Sequence, residues 1–171
     1  MATIGVHQIP RLLLLAAVVA YAALYAVNPQ YLGALNAVTE AVHQGGHGVF
    51  DEFTDVAGAL GGTIAQIGLP LVITAALFLA GIRYGAALGI AWLAQNLFSV
   101  AGYMSDAAER KLELPAAEAG RHDWNYLLDR FGLLENAELL SGTIHMLGFV
   151  ALVIAAIAGV RRAIWEEPKH Y

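Results

Sequence analysis

Hydrophobic residues are grouped in four long runs that contain almost no charged side chains. The runs cover about residues 12–28, 56–82, 84–104 and 139–160. A helix of about 20 apolar residues crosses the hydrocarbon core of a bilayer. The runs are rich in Ala, Leu, Val, Ile and Gly, as membrane helices often are. The pattern therefore predicts four membrane-spanning helices.

Two segments outside these runs have patterns of their own. Residues 31–50 have helical character but are too polar for a lipid-facing span and too apolar for a free loop. We expect a partly inserted helix whose polar groups face the other helices. Its polar side chains are Asn36, Thr39, Glu40, His43, Gln44 and His47. Residues 105–138 are predicted to form an outer acidic loop. In it, Asp123 either orients the neighbouring His122 or caps a short helix over Trp124–Phe131.

Composition supports a membrane protein of a single domain, residues 1–171. Hydrophobic residues make up 58% of the chain and charged residues 13%, with a net charge of -5. A soluble domain has about a quarter of its residues charged, so this chain cannot cover an ordinary water-exposed surface. The same numbers exclude a disordered chain and a basic surface for nucleic acid. The sequence has no phosphate-binding glycine loop, so nothing in it indicates a nucleotide ligand. The predicted fold class is an all-α, polytopic membrane helix bundle.

Basic residues give the expected orientation. Arg11 precedes the first run, Arg83 separates the second from the third, and Arg161 and Arg162 follow the fourth. Because basic residues favour the cytoplasmic side, both termini are predicted to be cytoplasmic. The other two connections, which hold 12 of the 14 acidic residues, then face outward. Alternatively, Arg11 and residues 12–22 form a secretory signal with a small-residue cleavage site.

A pair of histidines is the main candidate for chemistry. His43 and His47 are four residues apart, so on a helix both imidazoles point from one face and can share a metal ion. Glu40 and Gln44 lie on that face too. The chain has no cysteine, so further zinc ligands must be His, Asp or Glu. The candidates on the same predicted side of the membrane are Asp106, His122, Asp123 and His145.

Several short motifs occur in an order that resembles the site-2-protease class of intramembrane zinc metallopeptidases. They are His43-Gln44-Gly45-Gly46-His47, then residues 61–66 (GGTIAQ), then Gln95-Asn96-Leu97 with Asp106. Small bacterial membrane proteins with a variant of this pattern also have a segment similar to residues 122–128 (HDWNYLL). The resemblance implies zinc held by His43, His47 and Asp106. We expect His122 or Asp123 to be a fourth ligand or to orient one of the ligands. The resemblance also implies a membrane protein or peptide as substrate, and the bacterial inner membrane as location.

Gln44 is the chief departure from the class, which has a catalytic glutamate at this position. That glutamate takes a proton from the attacking water, and an amide cannot do so. The chain is thus either a natural degenerate relative or an engineered inactive peptidase, unless Glu40 or Asp123 supplies the base. We expect a degenerate metallopeptidase-like protein; the alternatives are a non-enzymatic metal-binding or accessory subunit and a haem protein ligated by His145 with His43 or His47. Within the spans, Gln66, Gln95 and Asn96 are expected to hydrogen-bond across the bundle.

Overall fold

The computed structural model describes residues 6, 8–28, 33–112 and 122–165, and over this part of the chain the fold is all-helical. The helices are α1 (Ile9–Val27), α2 (Asn36–Phe50), α3 (Asp55–Leu79), α4 (Arg83–Ser105), α5 (Asp123–Arg130) and α6 (Ala137–Trp165). A short 3-10 helix over Leu134–Asn136 leads into α6. Four helical segments are long and apolar enough to cross a membrane: Ile9–Val27, Asp55–Leu79, Arg83–Ser105 and Leu134–Trp165. The prediction of an all-α bundle with four such helices is confirmed.

Local sequence signals explain where these helices begin and end. Pro10 lies in the first turn of α1, where its missing N–H is not needed. The Thr54 side chain accepts a hydrogen bond from the Ala57 N–H and so caps the start of α3. Gly81 has a φ of +76°, which allows the tight turn between α3 and α4.

Helix α4 lies at the centre of the bundle. In the most apolar 18-residue stretch of α4, 61% of the residues are buried, whereas the share is 17–22% in the other three long helices. One cluster of buried residues joins α4 to α1 and α6, and its largest members are Tyr25, Phe98 and Leu152. The other three long helices therefore surround α4 and expose their outer faces, as expected for helices in lipid.

The two shorter helices occupy the periphery and carry the polar residues. Helix α2 packs against α3, and α5 packs against both α3 and the end of α4. Helix α2 begins at Asn36, which accepts a hydrogen bond from the Tyr25 hydroxyl of α1. The predicted site helix started at residue 31, but residues 31 and 32 lie outside the described part. The predicted loop over 105–138 contains α5, and its residues 113–121 are likewise outside the description.

Candidate metal centre

Two histidines of α2 and one aspartate of α5 meet in a buried cluster. His43, His47 and Asp123 each offer one ligand atom, and these atoms all lie within 4.8 Å of one another. The two Nε2 atoms are 3.1 Å apart. Asp123 Oδ2 is 3.1 Å from His47 Nε2 and 3.8 Å from His43 Nε2. Over the described residues, no other group of three His, Asp or Glu side chains has this proximity.

The helix α2 backbone and two glycines of the α2–α3 contact bring this cluster together. His43 and His47 are one turn apart on the face of α2 that packs against α3. A Cβ added to Gly62 would lie 2.6 Å from His43 Cδ2, so only glycine leaves room for the imidazole. A Cβ on Gly46 would lie 2.7 Å from the Ala65 Cβ. Small residues thus allow the two helices to approach closely with the histidines between them.

Hydrogen bonds to α3 determine which nitrogen of each histidine carries the proton. His47 Nδ1 lies 2.8 Å from the Gly58 carbonyl oxygen, which can only accept, so Nδ1 is the donor. His43 Nδ1 donates to Gln66 Oε1 at 3.0 Å. In a neutral imidazole the other nitrogen, Nε2, then carries a lone pair. The expectation that Gln66 hydrogen-bonds across the bundle is met by this contact.

The two Nε2 atoms and the Asp123 carboxylate oxygen, all electron-rich, therefore face one another inside the protein. His43, His47 and Asp123 are 6%, 9% and 2% exposed. A proton shared between two of the three atoms would relieve one repulsive contact, whereas a metal ion would relieve all three. Zinc bonds of about 2.0–2.2 Å at tetrahedral angles place ligand atoms roughly 3.3–3.5 Å apart, close to the spacing seen here. Histidine ligands of metals commonly donate their second N–H to a carbonyl or amide oxygen, as both do here.

Asp106 and His122 form a separate pair beside this cluster. Their side chains face each other, with 3.4 Å between His122 Nε2 and Asp106 Oδ2. The Asp106 carboxylate also accepts the backbone N–H groups of Lys111 and Leu112, at 2.9 and 3.0 Å. His122 Nδ1 accepts the Asn125 N–H at 3.2 Å. The Asp106 carboxylate and the Nδ1 atom of His122 thus accept backbone N–H groups, whereas His122 Nε2 is buried and makes no hydrogen bond among the described residues.

His122 is the N-cap of α5, a role that one of the two sequence predictions gave to Asp123. Helix α5 begins at Asp123 and not Trp124 because the His122 imidazole accepts the N–H in its first turn. Burial lowers the pKa of His122, and the nearby Asp106 carboxylate partly opposes this shift. A neutral imidazole is what the contact with Asn125 requires, since Nδ1 must accept.

Tyr103 was not singled out in the sequence, yet it connects the pair to the cluster. Its hydroxyl oxygen accepts the Asp123 N–H at 3.1 Å. Its ring lies between the imidazoles, with its centroid 4.4 Å from that of His122 and 6.3 Å from that of His43. Tyr103 stands three residues before Asp106 near the end of α4. Residues three apart on a helix are neighbours, so this spacing is the feature of the sequence that could have pointed to Tyr103.

The remaining candidates lie outside the cluster. Gln44 Nε2 donates to Glu40 Oε1 at 2.8 Å, one turn away on α2, and the pair is partly buried. The His145 ring contacts that of Phe98, with centroids 4.9 Å apart. Asn96 Nδ2 donates to the Trp92 carbonyl oxygen and to Gln95 Oε1, and all three residues belong to α4.

The fold and the cluster define a class: a polytopic helical protein with a buried His–His–Asp group that could hold a metal ion. Comparison with protein-family models, with curated proteins and with solved structures finds no match. The resemblance to site-2 proteases therefore stays a prediction drawn from the motifs.

Proposed function

We propose that this protein binds one zinc ion at His43, His47 and Asp123, and that it is a non-hydrolytic relative of the site-2-protease class. The observation that carries the proposal is that Nδ1 of each histidine lies at hydrogen-bond distance from an acceptor oxygen of α3. Gly58 and Gln66 hold both Nδ1 protons, which leaves both Nε2 lone pairs directed at Asp123. This arrangement suits a cation coordinated by all three side chains.

The donor set favours zinc over magnesium or calcium. Two imidazole nitrogens and one carboxylate oxygen are common zinc ligands, whereas magnesium and calcium prefer oxygen alone. Three protein ligands leave one position of a tetrahedral zinc open for another molecule. The ion would supply a Lewis acid that attracts an electron-rich oxygen of a bound partner.

At the position of the catalytic glutamate of the class this chain has Gln44, whose amide cannot act as a base. The amide of Gln44 is occupied with Glu40, and Asp123 belongs to the ligand cluster. We therefore propose that the protein holds a membrane protein or peptide through a carbonyl or carboxylate oxygen and does not cleave it. The basic residues at the ends of the long helices support an orientation with both termini cytoplasmic. The resemblance to small bacterial membrane proteins supports the bacterial inner membrane as the location.

Metal content of detergent-purified protein tests the ligand set. We expect about one zinc per chain in the unaltered protein and none in the His43→Ala/His47→Ala double variant. The matched control is His145→Ala, which removes a histidine outside the cluster and should leave the zinc in place. Equal zinc content in all three proteins would refute the site.

A zinc peptidase that uses Glu40 as base is the second candidate, because Gln44 holds the Glu40 carboxylate in a defined, partly buried position. Incubation with an unfolded, membrane-tethered substrate separates the two candidates. Cleavage by the unaltered protein that is lost in Glu40→Gln would establish the peptidase. Cleavage only after Gln44→Glu would support the degenerate relative.

A further inference from the structure

Tyr103, near the end of α4, contacts the backbone of the third candidate ligand. Its hydroxyl oxygen accepts the Asp123 N–H at 3.1 Å. Asp123 is the first residue of α5, and the first N–H groups of a helix have no carbonyl partner within the helix. Because Asp123 is 2% exposed, bulk water has little access to this N–H. The Tyr103 hydroxyl therefore supplies an acceptor that the start of α5 needs inside the protein.

Two neighbours of Asp123 also contact the end of α4. Asn125 Nδ2 donates to a backbone carbonyl oxygen just after α4 at 2.7 Å, and His122 Nε2 lies 3.4 Å from Asp106 Oδ2. These contacts hold α5 against α4, but they come from residues before and after the ligand. The hydrogen bond from the Asp123 N–H to Tyr103 is made by the ligand residue itself. It therefore bears most directly on where the carboxylate lies.

The Tyr103 ring is itself held in place. Its centroid lies 4.4 Å from that of His122 and 6.3 Å from that of His43, so the ring lies between the two imidazoles. Helix α4, which carries it, is the most buried of the four long helices. The hydroxyl is thus a fixed point for Asp123, whose Oδ2 is 3.1 Å from His47 Nε2. Zinc bonds to oxygen are about 2.0–2.2 Å long, so a shift of the carboxylate by about 1 Å would remove it as a ligand.

We propose that Tyr103 is a positioning residue for the metal centre, and that its hydroxyl places the Asp123 carboxylate beside the two histidines. This role rests on the proposed zinc site and adds to it a residue of α4 that does not itself bind the ion. Without the hydroxyl, the buried N–H of Asp123 has no acceptor at this place, and loss of a partner from a buried polar group is costly. We expect the start of α5 to move towards another acceptor and to take the carboxylate with it.

Zinc affinity of the full chain in detergent, measured by competition with a chelator, tests this role. Tyr103→Phe keeps the ring and removes the hydroxyl, and should weaken the affinity by about 10–100-fold and alter the absorption spectrum of the cobalt-substituted protein. Replacement of Tyr103 by 4-fluorophenylalanine also fills the volume of the hydroxyl and should have the same effects, even if Tyr103→Phe fails to fold. Tyr84→Phe is the matched control, because it removes a hydroxyl that donates to the Arg11 carbonyl at 2.6 Å. Tyr84 lies at the other end of α4, so this variant should keep both the affinity and the spectrum.

A double-mutant cycle with copper(II) shows whether Tyr103 acts through Asp123. Copper(II) binds nitrogen ligands more tightly than zinc does, so the histidine pair should still hold it in Asp123→Asn. Tyr103→Phe should weaken copper affinity at least about fivefold in the unaltered protein but less than about twofold in Asp123→Asn. Unchanged zinc affinity in a folded Tyr103 variant, or an equal loss of copper affinity in both backgrounds, would overturn this role and leave the zinc site in place. Absence of zinc from the unaltered protein would refute the zinc site itself, and this role with it.

Discussion

At the scale of single residues, the histidines of the cluster differ from His122 in which ring nitrogen donates a hydrogen bond. His43 and His47 use Nδ1 as a donor to α3 and direct Nε2 at Asp123. His122 has the opposite arrangement, because its Nδ1 accepts the Asn125 N–H and its Nε2 faces Asp106. A histidine can bind a metal only through a nitrogen that offers a lone pair. The geometry therefore favours Asp123 as the third ligand and gives Asp106 a role in positioning the start of α5.

Two aspartate variants test this assignment. Asp123→Asn should lose zinc outright, because it removes a charged ligand. Asp106→Asn should weaken zinc affinity by at most about tenfold, because Asp106 contacts His122 at the start of α5 and none of the three ligands. Titration with zinc and the absorption spectrum of the cobalt-substituted protein measure both effects. The Asp106→Asn spectrum should match that of the unaltered protein, since its ligands are unchanged.

The opposite result would restore the ligand set implied by the resemblance. If Asp106→Asn abolishes metal binding or alters the cobalt spectrum while Asp123→Asn keeps both, then Asp106 is the ligand. His43 and His47 belong to both ligand sets, so either result leaves the histidine pair as the core of the centre.

Gly62 provides a steric test at the same scale. A methyl group at Gly62 would meet the His43 ring, with 2.6 Å to Cδ2, and would displace the imidazole from the cluster. Gly62→Ala should therefore lower zinc affinity at least about tenfold, by the cost of forcing a packed side chain from its place. Gly68→Ala on the same helix is the control, because a Cβ there meets no atom within 4 Å. Equal loss of affinity in both variants would indicate a general effect on α3.

At the scale of helices, the sequence predicts the long elements well and their mutual placement poorly. The pattern of apolar residues along the chain is sufficient to locate the four apolar helices to within a few residues of their bounds. Which aspartate meets the histidines depends instead on how α5 folds back against α3. Asp106 and Asp123 both lie after α4, and no local pattern distinguishes them. The tautomers likewise depend on Gly58 and Gln66, which come from another helix.

Glycines allow α2 and α3 to approach closely where the two helices cross. A Cβ at Gly46 would meet the Gly61 backbone and the Ala65 side chain, whereas Gly45 has open space. Gly46→Ala should therefore cost about 1–3 kcal/mol of folding free energy. Gly45→Ala should gain up to about 1 kcal/mol, because alanine is the better helix former. Thermal unfolding in detergent measures both, and a destabilised Gly45→Ala would contradict the packing account.

At the scale of the whole molecule, the candidate metal centre joins two helices that lie outside the main buried cluster. The main buried cluster joins α1, α4 and α6. Helix α2 packs against α3. Helix α5 packs against α3 and, through Leu128, against Met104 of α4 and Ala137 of α6 in a second buried cluster. A metal bound by His43, His47 and Asp123 would bridge α2 to α5 directly. Ligand binding to the folded state alone stabilises it, and here the stabilisation should be concentrated in these two helices.

Hydrogen exchange with and without chelator tests this division of the molecule. Chelation should raise amide exchange in α2 and α5 while that of α4 and α6 stays unchanged, because the α1–α4–α6 core does not depend on the ion. Asp123→Asn is the matched control, and its exchange should be high in α5 and insensitive to chelator. A uniform rise over all helices would instead mean that the ion stabilises the entire bundle, and no rise in either short helix would exclude a metal that bridges them.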